Sequence, residues 1–323
     1  MKLNEICSKG KSSLRQKDVI NDGPYSVYGA SGVVGTTSDY QNEIPYVAVI
    51  KDGAGVGRAS ACEPMTSVLG TIQALIPNPN VERDYLLYLV RSLRLGEGFS
   101  GSTIPHIYFK DYGKIEVPLP SLEAQKRIVS QLGLIEAQIE QAEAQTTQLD
   151  QLVKSRFVEM FGDPVTAVSD ITLGEVANMK AGKTTTAKTT HDVYAPGLSP
   201  CYGGNGLRGY SAEPTHEGIF PLIGRQGALC GNVQIAHGTF RATEHAVVVD
   251  CKISCEPVWL FHYLKYDDLG RLATGAAQPG LSLKDLKLVP VQLPPKDRQV
   301  EFISFASQVD KSRFVRDHEI NFR

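Results

Sequence analysis

Apolar residues fall along this chain in two different rhythms. Through most of its length, short runs of Val, Ile, Leu and Tyr are separated by Gly-rich turns, the pattern of strands in a compact unit. Two stretches, DYLLYLVRSL from Asp84 and PVWLFHYLKYDDL from Pro257, break that pattern with helical spacing. From Ser121 to about Phe161 the texture changes. Proline is absent, Gly133 is the one glycine, and apolar or small residues stand at Ile128, Leu132, Ile135, Ile139, Ala142, Thr146, Leu149 and Val153. The steps alternate four and three, which is a heptad seam. Ser121, after Pro118 and Pro120, suits an N-cap, and Gly162 with Pro164 suits a helix stop. Such a helix would be about 60 Å long. It needs a partner for its seam, and DRQVEFISFASQVDKSRFV near the end offers Val300, Phe302, Phe305 and Val309.

The chain also repeats itself, which takes precedence over local readings. LNEIC at Leu3 aligns with LGEVA at Leu173, and KGKSS at Lys9 with AGKTT at Ala181. YGASG at Tyr28 aligns with YGGNG at Tyr202, and IKDGAGVG at Ile50 with GRQGALCG at Gly224, so Lys51 lies over Arg225. Pro105 falls on Pro279, and KDYGKIEVPLP at Lys110 on KDLKLVPVQLP at Lys284. From Tyr28 to Pro120 the offset is a constant 174 positions. The expected organisation is α+β: a first repeated unit over residues 1–120, a long spacer helix over 121–162, a second unit over 163–294 and a shortened helix over 295–323. KSRFV at Lys154 returns at Lys311 after 157 positions, 17 fewer than the domains repeat. The second spacer is therefore shorter by about 25 Å of rise before that point.

Composition narrows the function classes. With 33 Lys and Arg against 35 Asp and Glu, affinity for nucleic acid would have to come from charge placement, not total charge. Six cysteines form no dense framework and no signal peptide precedes them, so the expectation is a soluble cytoplasmic protein with reduced thiols. No apolar run is long enough to span a bilayer.

PLPSLEAQKRIV at the start of the long helix, KSRFVEMFGDP at its end, VDKSRFV in the second helix and the two-fold repeat together resemble the DNA-specificity subunit of type I restriction–modification systems. The resemblance covers essentially the whole chain. It implies that each α+β unit is a target recognition domain for one half of a split DNA sequence. It implies an antiparallel coiled coil that sets half-site spacing and docks methyltransferase (modification) subunits, and through them restriction subunits. S-adenosylmethionine, ATP and Mg would be bound by those partners and no cofactor by this chain. The shortened second helix departs from the family pattern and leaves a homodimer through the unpaired seam open.

The residues suggest where DNA would be met. The loop at Ala48–Arg58 has Arg58 where a dinucleotide fingerprint needs glycine, so it reads as a permissive turn, not a cofactor site. That turn and its repeat offer Lys51, Arg58, Arg225, Gln226 and Asn232; Arg suits guanine, and Gln or Asn suits adenine. AGKTT lacks the first glycine of a Walker motif, leaving Lys11, Ser12, Lys183 and Thr184 as phosphate-contact candidates. Ser31 and Asn205 stand beside Tyr28 and Tyr202, which read as packing residues. Ser102, Thr103, His106 and Gln278 occupy equivalent loops before the last strands. The subunit interface candidates are Ile128, Leu132, Ile135, Ile139, Leu149 and Val153, with Phe302, Phe305 and Val309.

No catalytic motif emerges: neither GxSxG nor HExxH is present, and the chain reads as a non-catalytic subunit. Cys251 and Cys255, near His245 and His262, lack the second ligand pair of a structural zinc site and read as buried thiols. A competing reading is a two-headed coiled-coil protein that binds protein or glycan, not DNA.

Overall fold

The computed structural model describes residues 1–99, 105–186, 189–227, 229–252, 254–275 and 279–321, with the backbone alone beyond Ser312. The chain divides into two compact units, Met1–Gln141 and Ala142–Arg323.

In the first unit, helix α1 (Leu3–Ile6) leads into β1 (Cys7–Lys9), β2 (Tyr25–Gly29), β3 (Gly32–Thr37), β4 (Tyr46–Ile50), β5 (Ala59–Cys62), β6 (Ser67–Val68) and β7 (Ile72–Pro77). Helices α2 (Arg83–Ser92) and α3 (Phe109–Tyr112) follow, and then the long α4 (Leu122–Phe161). In the second unit, α5 (Leu173–Val176) precedes β8 (Ala177–Ala181), β9 (Ser199–Gly203), β10 (Gly206–Ser211), β11 (His216–Gly224), β12 (Val233–Ala242) and β13 (Ala246–Cys251). Helices α6 (Pro257–Tyr266), α7 (Leu283–Lys287) and α8 (Lys296–Asn321) complete it.

The second unit carries one six-stranded sheet in the order β10-β9-β12-β11-β13-β8. The first carries the same strands as two sheets, β1-β7-β4-β5 and β3-β2-β6. The difference lies in one place. Strand β12 runs unbroken from Val233 to Ala242 through Gly238, whose φ is +72°. At the matching place in the first unit stand Pro64, which has no N–H to give a ladder, and Met65 at φ +53°, and β5 and β6 separate. The parallel pairing survives in both: Val27 and Tyr28 face Ser67 and Val68, as Cys201 and Tyr202 face Arg241 and Ala242. The offset rises from 170 at Leu3 to 172 at Gly10 because β8 has five residues where β1 has three.

Strand β4 and the Pro221–Gly224 end of β11 are buried on both faces, so alternate side chains enter different cores. Val47 and Val49 pack with Leu75, Leu86 and Val90, while Tyr46, Ala48 and Ile50 pack with Val68, Ile72 and Ala74. In the second unit Ile223, Val247 and Val249 join Trp259 and Leu260, and Leu222, Ala236 and Phe240 form the other layer. Burial of these side chains, about 1.5–3 kcal/mol each, is the main force holding each sheet to its helices.

Helix α4 begins at Ser121, whose Oγ accepts from the Ala124 N–H at 3.3 Å, and stops at Gly162 in the left-handed region at φ +84°. Its seam has three regimes. Ile128 packs on the core of the first unit, and Glu136 accepts from Tyr88 Oη at 2.7 Å and from Arg91 at 3.1 Å. Ile135 and Ile139 are about half exposed, and Leu132 is half-buried. Val153 and Phe157 are buried in the second unit, where Phe157 meets Phe302 edge-on at 5.1 Å and Trp259 at 6.1 Å. Leu149 and Phe305 border the same core, which includes Phe302 and Val309. Val300 faces solvent. α8 has 26 residues against the 40 of α4.

A buried glutamine mounts each helix. In α4, Gln125 is fully buried; its Oε1 accepts from the Glu82 N–H at 2.8 Å, and its Nε2 donates to the Asn80 and Pro120 carbonyls at 3.0 and 2.9 Å. In α8, Gln299 is likewise buried; it accepts from the Glu256 N–H at 2.8 Å and donates to the Ser254 and Pro294 carbonyls at 3.0 and 2.9 Å. Every participant is displaced by 174 positions. A buried amide with both ends satisfied fixes the helix in one orientation on its own unit.

Candidate nucleic-acid interface

The glycine-rich turns are the same backbone built twice. The Gly53 N–H donates to the Pro105 carbonyl at 3.0 Å and the Ile107 N–H to Lys51 at 2.9 Å. In the second unit the Gly227 N–H donates to Pro279 at 3.0 Å and the Leu281 N–H to Arg225 at 2.9 Å. The Gly57 N–H closes the turn on Ile50 and the Gly231 N–H closes it on Gly224, both at 2.8 Å. These bonds require positive φ at Gly53 and Gly57, as at Gly227 and Gly231, which explains glycine at those four positions.

On this shared frame the side chains differ. Lys51 and Asp52 are replaced by Arg225 and Gln226, Arg58 by Asn232, and His106 by Gly280. His106 Nδ1 lies 2.7 Å from Asp52 Oδ1, an interaction that the second copy does not carry at Gly280. Arg58 is exposed and its Nε reaches back to the Gly55 carbonyl at 3.4 Å. Gln226 is exposed, while Lys51 and Arg225 are half-buried.

The hairpin tips come close to these turns in the second unit. Asn205, in the turn between β9 and β10, accepts from Asn232 Nδ2 at 3.1 Å. The backbones of Gly204 and Gly224 approach so closely that a Cβ on Gly224 would lie 1.9 Å from the Gly204 oxygen. Ser31 occupies the equivalent tip between β2 and β3 and is exposed. Tyr28 and Tyr202 pack against their cores. Ser102, Thr103 and Gln278 lie outside the described residues.

The Lys, Ser and Thr stretches follow the first strand of each unit. Buried Asn42 accepts from the Lys11 N–H at 3.0 Å and donates to the Lys11 carbonyl at 3.1 Å, leaving the ammonium exposed. Ser12 is half-buried and its hydroxyl donates to the Ile72 carbonyl. In the second unit Lys183 and Thr184 are exposed, the Lys183 N–H donates to Ala242, and Arg241 holds the Thr184 carbonyl at 3.2 Å. Neither Asn42 nor Arg241 stood out in the sequence.

Nothing in the thiol chemistry points to a reactive cysteine. Burial pushes the Cys7 thiol up to about 12 and Cys62 to about 11. Cys251 is raised by its hydrogen bond with Cys255 and by burial. Among the described residues no group of three or more His, Cys, Asp or Glu is placed to hold a metal ion. No described helix is long and apolar enough to cross a membrane.

The family model for the type I restriction modification DNA specificity domain matches residues 1–151 and 167–320. The type I restriction enzyme EcoprrI specificity subunit of Escherichia coli is 42% identical over 143 residues, covering 43% of this chain and 35% of that protein. A putative type I restriction enzyme specificity subunit of Haemophilus influenzae is 31% identical over 134 residues, 41% of this chain and 34% of that protein. This chain thus spans about a third of the length of these curated relatives. In fold it is similar to the S subunit of a type I restriction–modification system from M. genitalium, with a TM-score of 0.61 and 19% identity over 99% of this chain and 91% of that one. A chain from a study of complex assembly and conformational transition in the type I R-M system gives 0.52 and 17%, covering 99% and 92%. Neither the family model nor these curated relatives carries a description of protein or glycan binding.

Proposed function

The chain belongs to the type I restriction modification DNA specificity domain family, and on that premise we propose that it is the sequence-reading, non-catalytic subunit of a type I restriction–modification complex. Each unit reads one half of a bipartite target in duplex DNA. The observation that carries this is the duplicated turn, one backbone frame with Lys51 and His106 in one copy and Arg225 and Gln226 in the other. A constant frame with exchanged hydrogen-bonding side chains is what two readers of different half-sites require.

The spacer helices dock modification subunits, which supply S-adenosylmethionine; ATP and Mg belong to partner subunits as well. The exposed stretch of α4 around Ile135 and Ile139 is the part of this surface left to a partner, a modification subunit or a second copy of the chain. Action on DNA places the complex in the cytoplasm. Methylome sequencing with and without the gene tests the proposal. A split methylated motif that vanishes with the gene is expected; an unchanged methylome rejects it. Arg225→Glu should abolish binding to that motif, and unchanged affinity would remove Arg225 from the reading surface.

A further inference from the structure

A second feature is duplicated with the turns. In the first unit a cleft of about 470 Å³ opens between the Gly57 turn and the end of α2. In the second a cleft of about 560 Å³ opens between the Gly231 turn and the end of α6. Its walls correspond through the same 174-position offset. Both floors are a contact between two glycine backbones: a Cβ on Gly57 would lie 2.2 Å from the Gly96 nitrogen, and one on Gly231 would lie 2.4 Å from that of Gly270. Both rims carry a residue in the left-handed region, Arg94 at φ +47° and Asp268 at φ +50°.

The chemistry of the walls diverges. The first cleft presents Arg58, Arg91 and Arg94 with Glu97 beside them, and the second presents Asn232, Lys265 and Asp268 at the places of the three arginines. Arg91 is tied to Glu136 at 3.1 Å. Arg94 makes a 3.5 Å ion pair with Glu97 in which both side chains are more than 70% exposed, an interaction of little strength. Arg58 and Arg94 thus keep most of their guanidinium donors for a ligand.

We propose that each cleft seats one phosphate of the DNA backbone, firmly on the first unit and weakly on the second. The inference rests on the DNA-reading function proposed above. A recess suits a phosphate better than a base edge, which a protruding element must reach inside a groove. Arg, Lys and Asn are all phosphate donors, and such contacts set register without reading sequence. Asp268 opposes an anion where Arg94 attracts one, so the two seats differ in strength while sharing a shape.

The exchange of rim residues tests this directly. Arg94 already occupies the left-handed corner, so Asp268→Arg places a side chain there that the fold accepts in the other copy. The full chain, with co-expressed modification subunits, would be titrated with duplex DNA over a series of salt concentrations. Asp268→Arg should tighten binding roughly threefold or more near 0.1 M salt and steepen the slope of log K against log salt by about 0.9. Arg94→Ala should make the slope shallower by a similar amount while the methylated motif stays the same. Unchanged slopes in both variants overturn the inference, and so does a changed motif, which would make the cleft a base reader. Lower thermal stability with unchanged affinity also overturns it, since that would mean the cations serve only the negative end of the helix. A wild-type complex without affinity for DNA overturns both this inference and the function on which it rests.

Discussion

Replacing Gln299 by Leu isolates the mount of α8. Leucine has nearly the same volume, so the change leaves little cavity, and the loss is in polar satisfaction. Three hydrogen bonds of 2.8, 3.0 and 2.9 Å disappear. At about 1 kcal/mol net for each bond the cost is about 3 kcal/mol. It stays near that figure because Glu256 and Pro294 are half-buried and Ser254 is exposed, so water recovers part of what is lost. The readout is built in. Trp259 is the single tryptophan of the chain, fully buried beside Phe157 in the second unit, and its fluorescence reports that unit. With a urea m-value of about 2 kcal/mol per M, the Trp259 midpoint should fall by about 1.5 M. The equivalent change, Gln125→Leu, should leave the Trp259 midpoint in place while destabilising the first unit by a similar amount, measured by hydrogen exchange of α2 amides. A shift below about 0.3 M for Gln299→Leu, or equal Trp259 shifts for both variants, would refute the assignment of a separate mount to each unit.

Gly231→Ala should lower the same fluorescence midpoint by the equivalent of at least 2 kcal/mol, because φ is +92° and the new Cβ would meet the Gly270 backbone; a neutral effect would show that the glycine contact is not tight. Asp267 is fully buried and burial raises its carboxyl to about 6, against the opposing pull of Arg271 at 2.9 Å. Its folded form therefore holds a proton that the unfolded form releases, and its favourable contribution, complete below about 4, is lost as pH rises through about 6. Asp267→Asn should flatten that decline in urea titrations at pH 4 to 7, and parallel curves for variant and wild type would exclude it. Ile135→Glu with Ile139→Glu should reduce the mass found by light scattering of the purified chain, or its co-purification with modification subunits, without moving the Trp259 transition; unchanged assembly would leave that face without a partner.

The duplication was legible because glycine and proline record backbone demands. Gly53, Gly57 and Pro105 recur at Gly227, Gly231 and Pro279, and the same hydrogen bonds join them in both copies. The spacer helix was legible from its heptads and from Ser121 and Gly162 at its ends. The heptads did not reveal which part of the seam would be covered, since Ile139 and Val153 look alike in sequence and differ only in what the fold sets beside them. Gln125 and Gln299 were invisible for another reason. A glutamine early in a helix reads as a solvated residue until Asn80 and Glu82, more than forty positions away, are brought against it. Arg94 and Asp268 were hidden too, because nothing local marks a non-glycine residue for the left-handed region.

The glutamine mounts also bear on how such a chain can change. Every hydrogen bond of the Gln125 mount is made within the first copy, and every one of the Gln299 mount within the second. A copy exchanged whole between two such chains would carry its own helix bracket with it, so new reading loops could arrive by recombination without renegotiating the angle at which the spacer leaves the domain.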